Sequence, residues 1–271
     1  MGFYPVCPGS GEYVLGAPRF DEMTLHLENG KNVSIKARNN EDENCYVKVG
    51  AKSGLYEFQD GKFVKCYNSN NSPMESAASN NSPNYVMANG VKYDANGNLW
   101  VLNCKSTNPL KLLTKEGEWK ELKHSNFAGN YSRDVKEIFI SPTYGYMWFI
   151  NSYWEETKLF AYDYQNDKLY DVGGPTYTNE DYATIKPYYL FHVTEDKKGN
   201  IWIASSAGPL YLPPSDVKNE GGFVSQNKGP RNDGTKLAAY LLANTETRCI
   251  AVDGGNRKRR GKTKGVLPIS G

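Results

Sequence analysis

The chain has 271 residues and a net charge of +2, with 39% apolar, 13% aromatic and 23% charged residues. No run of about 18 apolar residues exists, which excludes a multi-span helical membrane protein, and the balance of apolar to charged residues excludes charge-driven disorder. Twenty Tyr, 26 Gly and 14 Pro supply strand formers and turn formers together, so the first expectation is an all-β fold.

The mild charge hides an asymmetry. Six cations lie in residues 257–264, and the rest of the chain carries −4. That body has no electrostatic footprint for nucleic acid. The start, Met1-Gly2-Phe3-Tyr4-Pro5-Val6, has neither a basic region nor an apolar h-region, so no signal peptide is predicted and localisation stays open. Cys7, Cys45, Cys66, Cys104 and Cys249 form no Cys-x-x-Cys pair. With three His in the chain, they make no zinc spacing, and buried free thiols are expected.

In chain order, Met23–Glu28 alternates apolar and polar residues, Asn29-Gly30 is a hairpin turn, and Asn32–Ala37 is the return strand. Glu41-Asp42-Glu43 reads as a solvated turn and Cys45-Tyr46-Val47 as a short strand. The strings Gly2-Phe3-Tyr4-Pro5-Val6-Cys7-Pro8-Gly9 and Tyr13-Val14-Leu15-Gly16-Ala17-Pro18 resemble the C-terminal part of glycoside hydrolase family 92. These are Ca²⁺-dependent exo-α-mannosidases, mostly α-1,2-mannosidases. The resemblance covers residues 1–48. It implies that the general-base carboxylates of the inverting reaction, and the general acid, lie upstream of Met1. An inverting glycosidase needs two carboxylates flanking a sugar pocket. Glu12, Asp21 and residues 41–43 match tail positions without a chemical role, so no catalytic, cofactor or metal residue is assigned. Ca²⁺ is expected only in an intact family 92 enzyme.

From Gly54 the texture changes. Gly54–Phe58, a turn at Asp60-Gly61 and Lys62–Tyr67 form a predicted hairpin. A polar linker follows, in which Ser69-Asn70-Asn71-Ser72-Pro73 recurs as Ser79-Asn80-Asn81-Ser82-Pro83. Val91–Leu102, with Asp94-Ala95-Asn96-Gly97-Asn98-Leu99-Trp100 inside it, is echoed by Val193–Ala204, with Asp196-Lys197-Lys198-Gly199-Asn200-Ile201-Trp202. Ile138–Ile150 is a degenerate copy around Trp148. The Asp opens a turn and accepts its N–H groups, Gly takes the left-handed position, and Trp returns into a core. These aspartates are therefore expected to be structural.

Further strands follow each Trp: Leu110–Leu113 and Trp119–Leu122, Lys158–Tyr162 and Leu169–Val172, and Pro209–Leu212. Four strands per unit, with steps of 48 and 54 residues between the Trp positions, is the arithmetic of a β-propeller. The repeats resemble the two-component-regulator type of propeller and, most of all, the N-terminal propeller of PorZ-type surface proteins of the type IX secretion system, over about Val49–Asp253. Those families are exported and serve as interaction or ligand-sensing platforms. The PorZ type is linked to delivery of anionic lipopolysaccharide.

Cys249–Lys258 begins another blade motif. Arg259-Arg260-Gly261 then stands where Trp-Ile-Gly belongs, and Gly265–Ser270 reads as a distorted strand because of Pro268. A spoiled blade strand is favoured over a nuclear-localisation or nucleic-acid segment at Arg257–Lys264. The one helical candidate, Thr235–Ala243, is short and lacks a clear period.

The expected fold is all-β: a short β-hairpin module (1–48), then an incomplete β-propeller (49–271) with about three fuller four-stranded blades and two partial ones. The chain reads as a hybrid or truncated open reading frame that is non-catalytic and carries a binding or interaction platform. An α-1,2-mannosidase named from residues 1–48 is the alternative, and a glycan-sensing propeller is a third reading. Expected partners are glycans or surface proteins, with self-association through open blade edges and no nucleic acid or membrane span. Tyr144, Tyr146, Trp154, Tyr188 and Tyr189 are candidate sugar contacts, with core packing as the competing role.

Overall fold

In the computed structural model, the residues described are 46–51, 54–59, 62–124, 132–216, 228–230, 238–240, 242–252, 258–262 and 265–269. The hairpin expected at residues 23–37, the acidic turn at 41–43 and the turn at 60–61 lie outside them. Among the described residues every regular element is a strand, and all strand pairs are antiparallel. The chain divides into two compact units, Met1–Lys136 and Glu137–Gly271.

In the first unit, β1 (Tyr46–Ala51), β2 (Gly54–Gln59) and β3 (Lys62–Tyr67) form a three-stranded sheet in chain order. Its first strand pairs Tyr46 with Gln59 and Ala51 with Gly54, so one ladder runs through the expected module boundary at 48/49. A connector without strands follows. Then β4 (Met87–Tyr93), β5 (Leu99–Cys104), β6 (Leu110–Leu113) and β7 (Trp119–Glu121) form a four-stranded sheet, again in chain order. Leu99 and Val101 share a face by strand alternation, and Leu99 sits opposite Leu113. That face builds the core with Leu55, Met74, Val86 and Ala88. The connector contributes Met74 and Val86, which explains how a loop rich in Ser and Asn is nevertheless fixed.

The second sheet of this kind contains β8 (Val135–Ile140), β9 (Met147–Asn151), β10 (Lys158–Asp163) and β11 (Lys168–Gly173). β8 spans the division between the units. Two short strands, β12 (Tyr177–Thr178) and β13 (Thr184–Ile185), make a ribbon that hands over to the sheet of β14 (Leu190–Glu195), β15 (Ile201–Ser205) and β16 (Gly208–Leu212). β17 (Lys228–Pro230) pairs with β18 (Ala238–Tyr240), and β19 (Cys249–Val252), β20 (Lys258–Lys262) and β21 (Gly265–Ile269) form a last three-stranded sheet. The main core of the second unit gathers Trp148, Ile150, Leu159, Ala161, Leu190, Val193, Ile201 and Ile203. On the opposite face of β15, Trp202 and Ala204 pack with Ile250. Both faces of β15 are therefore covered, and all five of its residues are buried. β5 and β9, the second strands of their sheets, are likewise buried throughout. Burial on both faces is what stacked, blade-like sheets require of their inner strands.

Three expectations change. The described residues hold two four-stranded and three three-stranded sheets, because Pro209–Leu212 ends its sheet as the third strand. The helical candidate at Thr235–Ala243 is instead the site of strand β18, paired with Lys228–Pro230. So short a segment cannot meet the cost of helix nucleation, whereas a ribbon satisfies its backbone directly. The basic segment is the middle strand of its sheet, with Arg260 opposite Ile250 and Leu267. Pro268 is accommodated opposite Arg259 because β21 has a second strand on one side only, where a missing N–H is tolerated.

Candidate binding surface

The repeated Asp turns come first, since their carboxylates are the obvious chemical candidates. Asp94 Oδ1 accepts from the N–H groups of Asn96 (2.9 Å) and Asn98 (3.0 Å). Its Oδ2 accepts from Asn98 Nδ2 (3.1 Å) and Trp100 Nε1 (3.0 Å). Asp196 repeats the pattern with Lys198 N, Asn200 N, Asn200 Nδ2 and Trp202 Nε1 at 2.8, 3.2, 2.9 and 2.9 Å. Gly97 and Gly199 hold φ of +82° and +80°, the left-handed position that only Gly adopts without penalty. Both carboxylates are buried and spent on their own turns. They are structural, as the sequence motif implies.

The degenerate copy departs from this. Ser141 replaces the Asp and accepts from Tyr144 N (2.9 Å). Its hydroxyl donates to Glu195 Oε2 at 2.5 Å, so the carboxylate arrives from β14 of the next sheet. Tyr144 Oη also donates to Gly199 O (3.0 Å), and burial together with the Glu195 and Asp196 charges raises its phenol above the usual value. Among the described residues, the indole N–H of buried Trp148 has no hydrogen-bond partner, and neither has Glu195 Oε1.

In the first unit the ammonium of Lys111 is fully buried and lies 2.5 Å from Glu121 Oε2 and 3.5 Å from Glu75 Oε1. Glu75 also accepts from Ser106 Oγ (2.5 Å) and Thr107 N (3.0 Å). Burial pushes the Glu75 carboxyl up, but these donors and the Lys111 charge prevail and hold it below its usual value. The group ties the connector to the β4–β7 sheet.

The exposed aromatic side chains are in the second unit. Trp154, Tyr182, Tyr188 and Tyr189 are exposed by 50%, 87%, 61% and 44%. Among the described residues of this unit, the four exposed large apolar residues are thus all aromatic, three of them with a hydroxyl. The loop after β9 carries Trp154 and is fastened at both ends: Ser152 Oγ donates to Leu190 O (2.6 Å) and Thr157 Oγ1 to Pro187 O (3.1 Å). The segment bearing Tyr188 and Tyr189 is fastened in turn to the β15–β16 turn, where Ser206 Oγ accepts from both backbone N–H groups at 2.8 and 3.1 Å. Tyr189 stacks on Phe191 at 6.0 Å, and the Arg248 guanidinium lies 4.3 Å over the Phe191 ring. The backbone beneath these rings is therefore pre-organised, which lowers the ordering cost of any ligand they bind.

Of the five candidate aromatics, Trp154, Tyr188 and Tyr189 are exposed. Tyr146 is buried in the core, with Tyr144 packed partly against it, and these two take the competing core role. Tyr182, Phe191 and Arg248 were not legible as candidates. Tyr182 tops a two-strand ribbon, and Phe191 on β14 meets Arg248, which precedes β19 of another sheet, only in the folded chain. Among the described cysteines only Cys104 is buried, while Cys66 and Cys249 are half-buried, and none of the three is in a disulfide. The expectation of buried thiols fails for those two because they sit in an outer strand and at a strand start. Burial pushes the Cys104 thiol up to about 12. Cys7 and Cys45 lie outside the described residues. Among the described residues no cluster of three or more His, Cys, Asp or Glu is arranged to hold a metal ion, and Ca²⁺ remains attached to the resemblance of residues 1–48.

Residues 1–53 match the Glycosyl hydrolase family 92 catalytic domain. No curated protein matches the sequence. Among solved structures, the chain is similar to PorZ, an essential surface component of the type IX secretion system of Porphyromonas gingivalis. The TM-score is 0.70 at 17% identity, over 86% of this chain and 31% of PorZ. The extracellular domain of the two-component system BT4673 from B. thetaiotaomicron follows at 0.55 and 14%, over 83% of this chain and 26% of that one. Virginiamycin B lyase from Staphylococcus aureus matches at 0.51 and 15%, over 84% of this chain and 67% of that one. At these identities the likeness is one of fold: the chain is all-β and propeller-like. It spans less than a third of PorZ and of the BT4673 domain.

Proposed function

We propose that the chain is a non-catalytic binding platform whose propeller-like sheets present an aromatic surface to glycans. The observation that carries this reading is the set of exposed rings, Trp154, Tyr188 and Tyr189, on loops fastened by side-chain hydrogen bonds to neighbouring backbone. Exposed aromatic rings offer flat apolar faces with polar rims, suited to ligands that are apolar on one side and hydroxylated on the other. Surface proteins, and a second copy meeting at a sheet edge, are the other partners consistent with a platform. Calorimetric titration with mannan and lipopolysaccharide-derived oligosaccharides tests it. Saturable binding is expected, and flat titrations overturn it.

A second reading rests on the family 92 match of residues 1–53, which would make the chain an α-mannosidase. Incubation with an aryl α-mannoside and Ca²⁺ separates the two. The platform reading expects turnover no greater than a matched blank.

A further inference from the structure

Arg248 joins the exposed Tyr189 through Phe191. Its Nε donates to Glu246 Oε1 at 2.7 Å, and its guanidinium carbon lies over the Phe191 ring, 4.3 Å from the centroid. Phe191 stacks in turn on exposed Tyr189 with an interplanar angle of 28°. Thr247 N donates to Ser205 O (3.0 Å) and Ser206 N to Tyr189 O (3.0 Å). The segment bearing Arg248, just before β19, and the segment bearing Tyr188 and Tyr189 are thus fastened to the same turn. The guanidinium is held on two sides, by a ring beneath and a carboxylate at Nε. Its two terminal amines, Nη1 and Nη2, have no partner among the described residues, and its side chain is 39% exposed.

We infer that Arg248 is an anion-recognising specificity residue, and that the ligand favoured by this surface is a carboxylate-bearing sugar, a uronate, rather than a neutral one. The inference rests on the glycan-platform reading. A stacked guanidinium oriented through Nε presents its amines as a planar fork, which matches a carboxylate two bonds at a time. The Phe191 ring and the Glu246 carboxylate hold the guanidinium in place, and Tyr189, stacked on the same Phe191, supplies a face for the sugar ring. Glu246 neutralises part of the local charge, so recognition depends on fork geometry more than on long-range attraction. Replacing Arg by Lys is therefore not conservative here.

The test uses the full chain and two probes that share one sugar: trigalacturonate and its methyl ester, in which the charge is masked. The acid is expected to bind about ten-fold or more tighter than the ester, the scale of a bidentate charged hydrogen bond. Arg248→Gln should abolish that preference while leaving ester binding in place, and Arg248→Lys should recover little of it. Thermal melts of both variants verify folding. Equal binding of acid and ester, or a preference that survives Arg248→Gln, overturns the inference and leaves the platform standing. If neither probe binds, glycan recognition at this surface falls together with the inference.

Discussion

Asp94 and Asp196 show how much one side chain organises in this chain. Each takes two turn N–H groups, an Asn amide and the indole N–H of a Trp four per cent exposed. Asp196→Ala would leave that buried indole donor unsatisfied and loosen the turn, so a loss of about 2–3 kcal/mol is expected, measured by urea denaturation. Asp196→Asn should cost less, since one amide oxygen still accepts. Glu75 carries a pH dependence with a definite sign. Its carboxyl is held below the usual value in the folded chain, so its contribution is fully present above about pH 4 and is lost as the pH falls through the folded value. Melting temperatures taken between pH 6 and pH 3 should drop more steeply for the native chain than for Glu75→Gln.

At the scale of elements, the informative case is the irregular copy. The Asp–Trp pairing is made within one hairpin at 94–100 and again at 196–202, but at 141–148 it is replaced by Ser141 and a carboxylate from β14. Ser141→Asp would set a second carboxylate against Glu195, and like charges at that distance repel. It is expected to destabilise the native chain yet be tolerated beside Glu195→Gln. The two sites should therefore couple by about 1 kcal/mol or more in a double-mutant cycle. The hairpins and the Asp–Gly turns were legible because their signals lie within a few residues of one another. The contribution of Glu195 to the preceding sheet was not, since no local pattern links it to Ser141. The run at 235–243 misleads for the same reason: only pairing with β17 makes Ala238–Tyr240 a strand.

Across the described residues of the molecule, β5, β9 and β15 are buried throughout, and the exposed aromatic side chains of the second unit are on loops and turns. Replacing Trp154, Tyr188 and Tyr189 together by Ala should leave the melting temperature nearly unchanged. Exposed side chains contribute within about 0.5 kcal/mol each. Oligosaccharide binding should be lost in the same protein, as read by calorimetry. Divergence of the two readouts distinguishes a recognition surface from misplaced core residues.

The sequence by itself determined the all-β class, the blade-like repeat, the structural role of the repeated Asp residues and the family 92 resemblance of the first residues. Each depends on residue types at fixed short spacings, where turn chemistry and strand alternation act locally. Only the tertiary structure decided which aromatics face outward and which fill the core. Tyr144 and Tyr146 lie in the turn between β8 and β9, and their packing follows from the core residues against them. It also decided the Tyr189–Phe191–Arg248 ladder. Residues distant in the chain meet there because adjacent strands and turns carry them to one surface, a proximity that no short stretch of sequence encodes.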